Sequence, residues 1–280
     1  LLEPLTPPST AAISFSAPTN VPVSQTFAAG VIPGLILLAF MVIVVLIKCR
    51  NIRNPEPASV AERWRSFLGA LPGLFTPIII LGGIYAGLRT PSESAAVAGV
   101  WATVMGFFIY RELTFASLCL ALKETATITA IIFAIIATAT FLSVVLTYSQ
   151  IPQQIVSYFT DMGATFALFW VALAIICLLL GTFVEIVPVF YLTVPIFAAI
   201  TLSFNQSLLH LYVVFVAFAG IGMITPPVCV GIYTSASVIQ ENPAKAFREV
   251  PLFVGVGILY GILMILIPGA STWLPSLLTR

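Results

Sequence analysis

Apolar runs of membrane-helix length, separated by short polar connections, set the pattern of this chain. Runs from about Ala28 to Ile47, Leu71 to Leu88, Glu93 to Tyr110, 125–147, Phe166 to Gly181 and Val250 to Ile267 are each near the ~20 residues a spanning helix needs. The period-two alternation of outer-membrane barrels is absent, so the spans are helical. Two further runs are interrupted. The stretch Ala219–Ser237 has apolar flanks, but its middle holds Gly220, Gly222, Pro226 and Pro227. Adjacent prolines remove two backbone donors and crowd the preceding turn, so a helix must break there. In lipid such a break is tolerated only where it is buried in protein or lines a cavity. It is either a plain kink or a place where freed carbonyls and half-helix ends form a cation or substrate site.

The second interruption is Thr182-Phe-Val-Glu-Ile-Val-Pro188, between Phe166–Gly181 and Val189–Thr201. Gly181, Thr182, Glu185 and Pro188 favour a re-entrant hairpin over two full crossings. Glu185 is the one carboxylate with long apolar runs on both sides, and an ionisable group at membrane depth is by default a functional candidate. Binding a cation, being protonated and bonding a neighbouring helix are its three possible roles.

The broken stretch has a partner at the start of the chain. Leu5-Thr-Pro-Pro8 matches Ile224-Thr-Pro-Pro227, and the same offset pairs Ile13 with Ile232 and Ser16 with Ser235. Each copy precedes a loop and then an apolar helix, the look of an internal repeat whose first copy is cut at its start. The chain is therefore expected to be a fragment.

Loop charge orients the spans. Lys48, Arg50, Arg53, Arg63 and Arg65 make the most basic connection and place it in the cytoplasm. Trp64 among these arginines suggests a short interfacial helix, with an unstructured loop as the alternative. Residues 18–26, 149–163 and 203–210 lack Lys and Arg and face outside, whereas Lys245 and Arg248 lie inside. The near-neutral connection 111–124 decides nothing. The first Thr-Pro-Pro copy then runs from inside to outside and the second from outside to inside. Opposed copies are the mark of inverted-repeat transporters, whose sites lie at the repeat interface.

Composition agrees and excludes other classes. The chain is 60% hydrophobic and 8% charged with net charge +1, so it is an integral membrane protein without a nucleic-acid role. Cys49, Cys119, Cys177 and Cys229 are scattered singly, which supports neither disulfides nor a zinc site. With His210 the sole histidine, no catalytic triad can be assembled. No enzyme is expected. Thr90-Pro-Ser-Glu93 reads first as a helix cap, with a ligand role second, and Arg89 and Glu93 can pair at the membrane surface. The threonines of 125–147 are expected to bond their own backbone.

With these motifs the chain resembles the large membrane subunit of the TRAP (tripartite ATP-independent periplasmic) transporters over essentially its whole length. Six stretches carry the resemblance in order: Pro7-Pro8-Ser9, Gly30-Val-Ile-Pro-Gly34, Gly82-Gly-Ile-Tyr-Ala-Gly87, Thr90-Pro-Ser-Glu93, Gly181-Thr-Phe-Val-Glu185 and Gly222-Met-Ile-Thr-Pro-Pro227. It departs from the family pattern in Ser92 for Thr, Arg89 for an apolar residue, Glu185 where Asp is frequent, and Cys229 for Gly. The family's first half is missing.

The resemblance implies an all-α, polytopic, elevator-type permease of the ion transporter superfamily, with inverted repeats, a re-entrant hairpin and broken helices, in a bacterial inner membrane. Residues 1–47 would end the first repeat, 48–70 form a basic cytoplasmic connector and 71–148 scaffold helices. Residues 164–239 would form the transport region and 250–274 the last membrane helix. A periplasmic binding protein would deliver a small organic anion (a C4-dicarboxylate, sialic acid or a related carboxylate), and a small membrane subunit would brace the scaffold. Sodium would be the coupling ion, with no organic cofactor. Its second-half site would draw on Gly181, Thr182, Glu185, Gly222, Thr225 and Pro226, and its first-half site on Thr6, Pro7, Pro8 and Ser9. The alternative is an uncoupled or proton-coupled carrier or channel of the same superfamily.

Overall fold

The computed structural model describes residues 1–51, 58–161, 166–240 and 242–278. These residues form helices and connections without strands. Six helices are long and apolar enough to cross a membrane, or seven if one bent pair counts as a span. The chain is thus an all-α, multi-pass membrane protein. It divides into two units, one of residues 1–45 and 135–280, the other of residues 46–134.

The smaller unit is built on α3 (Val60–Tyr85) and α4 (Pro91–Val104), which continues as a π turn over Met105–Ile109. Helix α3 corrects an expectation. Ser59 caps a helix that runs unbroken through Trp64, Pro72 and Pro77 to Tyr85, so Trp64 opens a spanning helix instead of a separate interfacial one. A capping box, with Ser59 Oγ accepting from the Glu62 N–H and Glu62 accepting from the Ser59 N–H, supplies the start signal. Arg50 and the two residues flanking it form a short 3-10 turn, and Arg53 lies outside the described residues. Helix α4 starts as its sequence predicts. The Thr90 hydroxyl accepts from the Glu93 N–H, and the Glu93 carboxylate accepts from the Thr90 N–H at 2.7 Å. Trp101 Nε1 donates to the Pro72 carbonyl at 3.1 Å and ties the two helices.

In the larger unit, α1 (Thr10–Thr19), α2 (Val23–Lys48), α7 (Phe166–Phe183), α8 (Ile186–Ser203), α9 (Leu208–Ile224) and α12 (Val250–Leu266) form the core. Helix α5 (Phe115–Tyr148) enters this unit with its C-terminal part. No residue of α5 is buried, and Thr125 and Thr127 bond the Ala121 and Lys123 carbonyls one turn back. The core centres on α9, where every residue from His210 to Gly222 is buried. A helix apolar all round belongs inside a protein, and α9 obeys that rule. Glycines let its neighbours approach: a Cβ on Gly257 or Gly261 of α12 would meet Ile221 or Phe218 at 2.7 or 2.6 Å.

Two elements are absent from the sequence reading. Helix α6 (Ile151–Asp161), between α5 and α7, packs on α8. Helix α13 (Gly269–Leu278) follows α12 at a bend of 59°. It is held by Ser271 Oγ, 3.1 Å from His210 Nδ1 of α9, so the only histidine serves packing. A short α10 (Val230–Ile239) and one-turn α11 (Pro243–Phe247) complete the chain.

Candidate functional site

Three breaks in the larger unit define the site, and each follows from local sequence. Helix α7 ends at Phe183, and α8 starts at Ile186 with Glu185 as its N-cap. Pro188 falls in the first turn of α8, where no N–H is required. The hairpin tip is therefore Val184-Glu185. Helix α9 ends at Ile224 because Pro226 and Pro227 cannot donate, and the chain resumes as α10. Before α1, Leu2 to Pro8 make the equivalent break, and Ser9 caps α1.

The two Thr-Pro-Pro copies share their geometry as well as their letters. Thr6 Oγ1 donates to the Leu2 carbonyl, and Thr225 Oγ1 donates to the Ile221 carbonyl, the equivalent atom. Ten residues later, Ser16 Oγ donates to the Ala12 carbonyl at 2.9 Å and Ser235 Oγ to that of Gly231 at 2.7 Å, again equivalent positions. Both Pro-Pro bonds are cis. The internal repeat read from the letters is thus repeated in hydrogen bonding.

Hairpin tip and second break are pressed together by glycine. A Cβ on Gly181 would lie 2.5 Å from the Ala219 carbonyl oxygen, and one on Gly222 would lie 2.6 Å from that of Leu178 and 2.7 Å from Gly181 Cα. Helices α7 and α9 therefore meet backbone to backbone where both break. Nearby, Thr182 Oγ1 donates to Leu179 and Thr225 Oγ1 to Ile221, each at 2.7 Å. A hydroxyl has one proton. With that proton committed to a backbone carbonyl, Thr182, Thr225 and Thr6 present only lone pairs. Carbonyls, acceptor hydroxyls and the Glu185 carboxylate are hard oxygen donors, the kind an alkali or alkaline-earth cation takes.

A cavity brings part of the first copy to the tip, and of the expected sodium donors only Glu185 is in its lining. Glu3 and Pro4, Glu185 of the tip, and Gly220, Met223 and Thr234 of the second copy line one cavity of about 350 Å³. Pro7 is half-buried and Pro8 and Pro226 are exposed at their breaks. Ser9 differs from the other expected donors. It is buried, donates to the Pro4 carbonyl at 2.7 Å and accepts from the Ala12 N–H, so it shapes the break. Glu3 and Tyr212, whose hydroxyl donates to Pro4 at 2.7 Å, escaped the sequence reading. The signal for Tyr212 was present: Pro8 cannot donate to Pro4, so a buried carbonyl there needs a donor from elsewhere.

Residues 2–270 match the family described as "Tripartite ATP-independent periplasmic transporter, DctM component". The chain belongs to that family. The relatives it matches are named as permease proteins of such transporters. It is 34% identical over 274 residues to the C4-dicarboxylate TRAP transporter large permease protein DctM of Pseudomonas aeruginosa, covering 97% of this chain and 64% of that protein. The sialic acid TRAP transporter large permease protein SiaM of Vibrio cholerae is 30% identical over 262 residues, 91% of this chain and 61% of its own. The ectoine/5-hydroxyectoine TRAP transporter large permease protein UehC of Ruegeria pomeroyi is 30% identical over 279 residues, 98% and 64%. The chain thus spans just under two thirds of the length of these curated relatives.

Proposed function

We propose that this chain is the permease portion of a sodium-coupled secondary transporter that imports small organic anions across a bacterial inner membrane. The observation that carries the reading is the meeting of hairpin tip and broken helix at Gly181 and Gly222, beside threonine hydroxyls whose protons are already committed. Gly181, Thr182, Glu185, Gly222, Thr225 and Pro226 would hold one sodium ion. Thr6, Pro7 and Pro8 would hold a second, with Ser9 fixing the break around them. Prolines and glycines would contribute through carbonyl oxygens. Bound sodium supplies positive charge next to the cavity, which has no Lys or Arg in its lining, and so offsets the charge of an anionic substrate.

The relatives' names point to C4-dicarboxylates, sialic acid and ectoines as the range of cargo. A soluble periplasmic binding protein delivers the cargo, and a small membrane subunit braces the scaffold helices. The block around α7 to α10 carries it across by an elevator-type movement against that scaffold.

Full-length permease, reconstituted with its small subunit and binding protein, tests this reading. Labelled C4-dicarboxylate, sialic acid and ectoine are offered under an inward sodium gradient and an equal potassium gradient. Uptake with sodium alone, lost in Thr225→Ala, is expected. Equal uptake in both salts sinks sodium coupling. Uptake driven instead by a proton gradient and lost in Glu185→Gln would make Glu185 a proton carrier.

A further inference from the structure

Pro8 has no N–H, so the Pro4 carbonyl, which an unbroken helix would pair with residue 8, needs other donors. It has two, Ser9 Oγ and Tyr212 Oη, both at 2.7 Å. Ser9 is local. Tyr212 comes from α9, the helix that runs into the second Thr-Pro-Pro break, 208 positions along the chain. Its ring is fully buried, 5.3 Å from Phe15 of α1 and stacked at 6.4 Å on Phe190 of α8, the helix that leaves the hairpin tip. One side chain therefore touches the first break, the helix after it, the helix after the hairpin and the helix before the second break. Among the described residues, no other side chain of α9 hydrogen-bonds to the first copy.

We propose that the Tyr212 hydroxyl is a strut coupling the two cation sites, so that filling one favours filling the other. It is a positioning residue, not a ligand, and the inference rests on the sodium reading above. A cation at the first break orders the segment from Leu2 to Pro8, including the Pro4 carbonyl. Through the Tyr212 hydrogen bond, that order constrains α9 relative to α1. The second break, at the far end of α9, then has less disorder to lose when its own cation arrives. Coupling of this kind is reciprocal and needs only that binding at each site favours the same arrangement. Tyr212→Phe removes the bond while leaving the ring packing and the Ser9 donor in place. The Pro4 carbonyl is not orphaned, so the change is suited to read coupling instead of folding.

Sodium binding can be followed without transport. The full-length permease with its small subunit is titrated with NaCl at constant ionic strength in choline chloride, reading intrinsic fluorescence and unfolding temperature. Wild type is expected to bind with a Hill coefficient of about 2, and Tyr212→Phe with a value near 1 and a midpoint raised roughly 5-fold or more. Tyr260→Phe is the control, since it deletes another buried hydroxyl bonded to a proline carbonyl, that of Pro33 at 3.1 Å, which belongs to neither break. It is expected to keep the wild-type steepness. A Tyr212→Phe titration as steep as wild type overturns the strut and leaves the sodium reading standing. An equal loss of steepness in Tyr260→Phe also overturns it, because general loosening would then explain the effect. No sodium response in wild type overturns the sodium reading and the coupling with it. Thr225→Ala gives a second measure with Tyr212 intact. Coupled sites predict weaker sodium binding at the remaining site by a similar factor, and unchanged affinity there overturns the coupling.

Discussion

Cys229 holds a left-handed backbone, φ +53°, while its side chain is buried against Ile232 and Val250. The family pattern has glycine at this position, and the dihedral gives a reason, since only glycine adopts that region freely. A β-branched residue is the worst substitute. Cys229→Val is expected to destabilise by roughly 1–3 kcal/mol, and Cys229→Gly to be near neutral because relieved backbone offsets lost packing. Denaturant unfolding in detergent compares them. Gly181 and Gly222 are constrained differently, by backbone oxygens of the opposing helix. Gly181→Ala or Gly222→Ala would push α7 from α9, at about 1–3 kcal/mol each, with a several-fold weaker response to sodium. An unfolding midpoint that does not move would contradict the backbone contact.

At the scale of elements, capping chemistry was the most legible feature. Thr90 and Glu93 form both hydrogen bonds of a capping box, and the Thr90 hydroxyl accepts from the helix it starts. Thr90→Ala should therefore cost about 1 kcal/mol of stability without changing the sodium midpoint, whereas Thr90→Ser keeps the cap. A shifted sodium midpoint in Thr90→Ala would restore a ligand role. Breakers were less reliable than caps. Pro72 and Pro77 do not stop α3, but Pro226 and Pro227 stop α9, because two consecutive missing donors defeat a turn that one can survive. Helices α6 and α13 went unseen because they are short, so neither by itself has the long apolar run that marks a membrane helix.

For the whole molecule, the site depends on segments far apart in sequence meeting around α9. Tip and second break meet through glycines, the first copy through Tyr212, and the cavity takes its lining from all three. A ligand that binds only the assembled arrangement stabilises it by mass action. Sodium at 100 times its half-saturating concentration should add about 2.7 kcal/mol per site over potassium. Thermal unfolding in the two salts checks this, and Thr182→Ala should remove part of the difference. Equal stability in both salts would argue against a built sodium site.

The sequence by itself determined the membrane class, the positions of most spans, the cap at Thr90 and the three breaks. Each of these follows from hydrophobic run length, hydroxyls before helices, and prolines without donors, all local properties. It also exposed the repeat through a handful of matching letters. Tertiary structure alone decided that Gly181 faces Gly222, that Ser9 is occupied in shaping its break, that Cys229 bends left-handed and that Tyr212 spans the two copies. Such facts depend on which backbone atoms from distant segments come within hydrogen-bonding or contact distance. No local pattern encodes that, because the partner of a freed carbonyl can lie anywhere along the chain.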